Sequence, residues 1–163
     1  MRAVGRGRSF LPGATVLEHN DRLVQVGVAS SEASGTYAVE DAVELEMPTR
    51  VLGLDEASEW LMMIADNEGV DHPVVSRMAM SRSLLGQAFV DEWCISVRKK
   101  KMSQLLLVHE MAHLVCANSG HGREFRTQVV TFVRRYVSLA HAVRLHEMYA
   151  AAGLGVETFS STK

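Results

Sequence analysis

Residues 109–113 read His-Glu-Met-Ala-His, and His121 follows eight positions later between Gly120 and Gly122. On an α-helix, residues four apart stand one turn apart and about 40° around the axis, so His109 and His113 can present two imidazole nitrogens to one ion. Glu110 projects roughly 80° to one side of that pair. It can reach a water on the ion without being a ligand, which is the HExxH arrangement of a zinc hydrolase. Zinc in that role takes three protein ligands and keeps a fourth position open. His121 is the expected third ligand, because Gly120 ends the helix and Gly122 lets the chain turn back. The expected cofactor is one Zn2+ per chain, with Glu110 as the catalytic base.

Chance gives an HExxH in about 2% of shuffled sequences of this composition, so context has to decide. The context is a helix reading QLLLVHEMAHLVCA, apolar apart from its two histidines, its glutamate and the opening glutamine. Burying three ionisable side chains there costs several kcal/mol unless they are paired or bound to a metal. Glu124 and Cys116 are weaker ligand candidates. Glu124 opens a helix, where Glu commonly serves the dipole, and Cys116 lies one turn beyond the histidine pair. His19, His72, His141 and His146 have no partner at metal-binding spacing.

The elements that must position these residues follow from periodicity. Ser103 is the expected N-cap of the HExxH helix, and Asn118-Ser119-Gly120 its stop signal. Asp55–Asn67 reads as an amphipathic helix ended by Gly69, with Ala57, Trp60, Leu61 and Ile64 inward. Val74–Met80 and Gln87–Lys99 read as two strands, and the basic run at 98–101 as an exposed turn. Arg123–Ser138 and Leu139–Ala152 read as two further helices. Residues 14–30 suggest a hairpin turning at Asn20-Asp21, residues 30–35 a polar loop, and residues 1–13 a basic tail.

The bulk values set outer limits. A chain of 163 residues with 47% hydrophobic side chains suits one domain with a real core. Ten acidic and one basic side chain fall between residues 37 and 75, against six acidic and twelve basic from 76 onward, so the net charge of −2 hides an asymmetry. That net charge gives no indication of nucleic-acid binding, although the basic run leaves room for phosphate contacts. Two cysteines, Cys94 and Cys116, make no disulfide framework, and no apolar segment approaches the length of a membrane span. A cytoplasmic protein is expected, with no membrane partner.

His109–His113 followed by Gly-His-Gly-Arg-Glu-Phe at 120–125 resembles the SprT-like metalloprotease core. It resembles still more closely a group of small metallohydrolases of actinobacteria and their phages, which share the short spacing between the two motifs. Tyr37-Ala38-Val39-Glu40-Asp41 is similar to an upstream motif of that group, and Tyr149 with Gly153 to its late tyrosine and glycine. Arg123 stands where the group usually has proline. The resemblance implies an α+β, zincin-like fold over residues 37–156, between an N-terminal region 1–36 and a tail 157–163. A small mixed sheet would pack against the HExxH helix and the C-terminal helices. His109, His113 and His121 would be the zinc ligands and Glu110 the base.

The implied activity is metallopeptidase cleavage of a protein or peptide, with the segment Val90–Val97 as an edge strand that holds the substrate. Tyr149 and Arg123 are the candidate oxyanion donors. Two other readings stay open: a zinc hydrolase of a small non-peptide substrate, and a phage or regulatory interaction protein with a structural zinc. An enclosed pocket would mark the first. A sealed site with a fourth protein ligand would mark the second.

Overall fold

The structure is a computed structural model that describes residues 16–118 and 120–158. The chain is α+β, with helices around two small sheets. Helix α1 (Val16–Glu46) leads through β1 (Val51–Gly53) into α2 (Leu54–Glu68). Strands β2 (Val74–Arg77), β3 (Gly86–Phe89), β4 (Cys94–Val97) and β5 (Lys101–Ser103) follow, then α3 (Gln104–Val115). Helix α4 (Arg123–Phe132), a π-helical turn (Val133–Val137) and α5 (Leu139–Ala151) complete the order.

Helix α1 replaces the expected hairpin and polar loop. A two-residue hairpin turn needs positive φ at its centre, which Asn-Gly supplies and Asn20-Asp21 does not. The C-terminal half of α1 instead buries Thr36, Val39, Glu40 and Val43 at helical spacing and packs on α5, where Ala142, Leu145 and Tyr149 are buried. Gly35 lies within this helix because the C-terminal segment passes close by: a Cβ there would stand 3.3 Å from Leu154 Cδ1. The expected tail at 1–13 and most of that at 157–163 lie outside the described residues.

The three-stranded sheet has the order β2-β4-β3, with β2 parallel and β3 antiparallel to β4. The single strand expected over Gln87–Lys99 is therefore two strands joined by a turn at residues 90–93. The acidic pair Asp91-Glu92 sits in this turn, and Trp93 closes it with φ 50°. This corrects the edge strand expected over Val90–Val97: β4 is central, and the edges belong to β3 and β2. Strands β1 and β5 form a separate antiparallel pair, so Lys101 of the basic run is part of a strand and not of a turn.

Helix α3 is buried from Leu107 to Leu114 on every side. The N–H groups of its first three residues all have partners. Gln104 N–H donates to the Arg50 carbonyl, Leu105 N–H to Thr49 Oγ1, and Leu106 N–H to Ser103 Oγ at 3.3 Å, which is the expected cap. The helix stops at Val115, sooner than the Asn-Ser-Gly signal suggests, because Ala117 turns left-handed at φ 51°. Among the described residues no helix is long and apolar enough to cross a membrane.

Candidate metal centre

His109 and His113 lie buried on α3, and the turn between α3 and α4 returns His121 to them. The Nε2 atoms of His109 and His113 each stand 3.2 Å from Nε2 of His121. All three ligand atoms lie within 4.8 Å of one another. A tetrahedral ion with metal–nitrogen bonds of about 2.0–2.1 Å holds its ligand nitrogens about 3.3 Å apart, so the spacing fits an ion at their centre. Among the described residues no fourth His, Cys, Asp or Glu joins the cluster.

The protons of two of these rings are held on the far side. His113 Nδ1 donates to the Asn118 carbonyl at 3.0 Å, and a carbonyl can only accept. The early end of α3 supplies that acceptor, and Asn118 Oδ1 in turn accepts from Gly120 N–H. His109 Nδ1 donates to Glu40 Oε2 at 2.6 Å. In the neutral form of either ring the Nε2 lone pair then faces the shared point, as a metal ligand requires. Burial, with the charge of His109 and of His121, pushes His113 down to about 3. Burial and His109, with a smaller push from Arg126, take His121 down to about 4. For His109 burial works in the same downward direction, but Glu40 outweighs it and the value is raised.

Glu40 reaches the site from α1, 69 residues from His109 in sequence. Its other oxygen accepts from the Tyr149 hydroxyl at 2.7 Å, so the buried carboxylate has a donor on each oxygen. Tyr149 is fully buried behind Glu40 and orients that carboxylate. Arg123 is exposed and pairs with Glu157 at 3.0 Å. The oxyanion donors expected at these two positions are thus engaged elsewhere in the structure. The tyrosine that does face the centre is Tyr37, one turn before Glu40 on α1. Its ring stacks on His109 with centroids 5.0 Å apart and lies 4.9 Å from His121. Burial, Glu110 and Glu40 push its hydroxyl up to about 12, so it remains a donor at neutral pH.

Glu110 sits beside the histidines under β3, where the Ala88 main-chain N–H donates to it. Burial pushes its carboxyl up to about 7; Glu40 adds to this, while His109 and the Ala88 N–H oppose it. Strand β3 passes so near that a Cβ on Gly86 would lie 2.8 Å from Glu110 Oε1. A cavity of about 510 Å³ opens over His109 and Glu110 between α1 and β3, walled by Tyr37, Asp41, Leu85 and Leu106 among others. Glu124 and Cys116 lie outside the three-histidine cluster.

Glu40, Tyr37 and Asn118 are partners that helical spacing around His109 does not reveal. Only the Tyr-Ala-Val-Glu-Asp stretch marked two of them. No family model, curated protein or solved structure matches the chain.

Proposed function

We propose that this chain is a zinc-dependent hydrolase with a zincin-like fold, and that it cleaves amide bonds of a peptide. The observation that carries this reading is the convergence of three histidine nitrogens, two of them 3.2 Å from His121 Nε2 and all within 4.8 Å of one another, with Glu110 alongside and no fourth protein ligand among the described residues. Bound at that point, zinc would polarise a substrate carbonyl and acidify a water. Glu110, at the floor of the cavity, takes the proton from the attacking water on its carboxylate and returns it to the leaving amine. The Tyr37 hydroxyl donates to the carbonyl oxygen as charge develops there. Leu85 and Leu106 keep the wall beside the reacting bond apolar, and β3, an edge of its sheet, would offer an extended peptide the main-chain groups that neither β4 nor Glu110 takes.

The cavity volume favours one second reading, a hydrolase of a small amide, since small-molecule sites commonly span about 300–1,000 Å³. Purified protein should contain about one zinc per chain and cleave a mixed peptide library. Glu110→Gln should keep the metal and lose about 10²–10⁴ in turnover. Undiminished turnover in Glu110→Gln would overturn the mechanism. Hydrolysis of small amides without any peptide cleavage would move the assignment to the second reading.

A further inference from the structure

His121 differs from the other two histidines in how it is held. His109 and His113 stand on a rigid helix, and each has an Nδ1 partner. His121 stands in a turn, and among the described residues its Nδ1 has no hydrogen-bond partner. Beside the two other histidine rings it has Tyr37 and Phe125, each with centroids 4.9 Å away, which give it apolar contact and no acceptor for Nδ1. What anchors this residue is its main chain, because its carbonyl accepts from Arg126 Nη1.

Arg126 is the one arginine or lysine that is buried among the residues whose burial is described. Such burial of a guanidinium is costly unless its N–H groups and charge are met, and an aliphatic side chain would fill the same space on α4 without that cost. Here each arm of the side chain has a task. Nε donates to the Gly155 carbonyl at 2.8 Å, and Nη2 faces Glu32 Oε1 of α1 at 3.4 Å. The Arg126 main-chain N–H makes the first bond of α4, to the carbonyl of its N-cap Gly122, the residue after His121. One side chain thereby ties the turn carrying His121 to the first helix and to the C-terminal segment.

We infer that Arg126 is a positioning residue for the third metal ligand: through the His121 carbonyl it does for that ring what Glu40 and Asn118 do for His109 and His113. The inference rests on the metal-binding reading of the three histidines and extends it to a residue that touches neither metal nor substrate. It also makes metal affinity depend on residues 153–157, whose Gly155 carbonyl completes the clamp.

The test is Zn2+ affinity by chelator competition, together with the visible spectrum of Co2+-loaded protein, for wild type, Arg126→Met, Arg126→Lys, His121→Ala and the double variants. Arg126→Met should weaken zinc about 10–100-fold, the size of effect typical for partners behind a ligand. Its cobalt spectrum should move towards that of His121→Ala. Arg126→Lys, which keeps the charge and a donor, should recover part of both. On the His121→Ala background neither Arg126 variant should weaken zinc further, because the route through His121 is already gone. Should Arg126→Met fail to fold, Arg126→Lys carries the same cycle. Wild-type affinity and spectrum in the Arg126 variants would overturn the inference, as would losses that simply add to that of His121→Ala. Absence of zinc binding in the wild type would instead defeat the metal reading itself.

Discussion

Gly86→Ala tests whether β3 and Glu110 are fitted to each other. The added methyl would sit 2.8 Å from Oε1 and 3.2 Å from Cδ and Cγ of Glu110, where ordinary contact begins at 3.4 Å. The shortfall is about 0.6 Å at the oxygen and about 0.2 Å at Cδ and Cγ, so the whole end of a buried side chain that borders the cavity has to shift. Either β3 moves away or the carboxylate swings into the cavity or towards the histidines. Overpacking of this kind costs about 1–3 kcal/mol, so unfolding should come several degrees lower but remain cooperative. A base displaced by even a fraction of an ångström loses much of its effect, and about a 10²-fold fall in turnover is expected. Zinc content should not change, because no histidine is touched. The assay is hydrolysis of a quenched-fluorescent peptide beside elemental analysis and a thermal melt on the same sample. Wild-type turnover in Gly86→Ala would refute the fit between strand and base. Loss of zinc with the fold intact would refute the separation of base from ligands.

Other expectations follow from the buried partners. Glu40→Gln removes the charged acceptor of His109 Nδ1 and should weaken zinc by about 10–100-fold in chelator competition. Tyr149→Phe strips the donor from Glu40 Oε1 and should lower stability by about 1–3 kcal/mol in urea unfolding, with a smaller loss of zinc affinity. Glu68 answers to pH. Burial pushes its carboxyl up, but hydrogen bonds from Tyr136 and Arg135 and the charge of Arg135 outweigh that, and its value is lowered. A lowered carboxyl stabilises the fold above its unfolded value and loses that contribution as pH falls through the folded one. Glu68→Gln should therefore cost about 1 kcal/mol at pH 7, allowing for the exposure of Arg135, and the gap to wild type should close below about pH 4. A gap that widens on acidification would contradict the sign.

The ligand helix was legible because its chemistry is periodic: His109 and His113 must share a face wherever a helix forms. Helix α2 and its Gly69 stop were legible for the same reason, as Ala57, Leu61 and Ile64 repeat at helical spacing and Gly69 takes the left-handed φ of 67°. The failures have a common cause in tertiary context. Strands β1 and β5 are three residues each, too short to show alternation. The turn at residues 90–93 was hidden in a longer run of strand-forming residues. Val16–Glu46 lacks a marked apolar stripe, so only its packing against α5 identifies it as one helix. Nothing in the sequence sets Arg126 apart, because arginine is ordinarily a surface residue.

That the first segment is a helix and not a hairpin changes where the centre is held. From α1, Glu40 fixes the proton of His109, Tyr37 lies against the rings of both His109 and His121, and Glu32 supplies the charge opposite Arg126, which holds the His121 turn. Two of the three ligands are thus oriented from a helix that contributes none of them. The HExxH motif places two nitrogens one turn apart, but a tetrahedral set also needs ring rotation and the third nitrogen to be set before the ion arrives. For His109 and His121 those contacts run back to α1, directly or through Arg126, while Asn118 sets the ring of His113. Preorganisation of this kind lowers the ordering cost of binding. Metal affinity should therefore respond to changes along one face of α1 almost as strongly as to changes on α3.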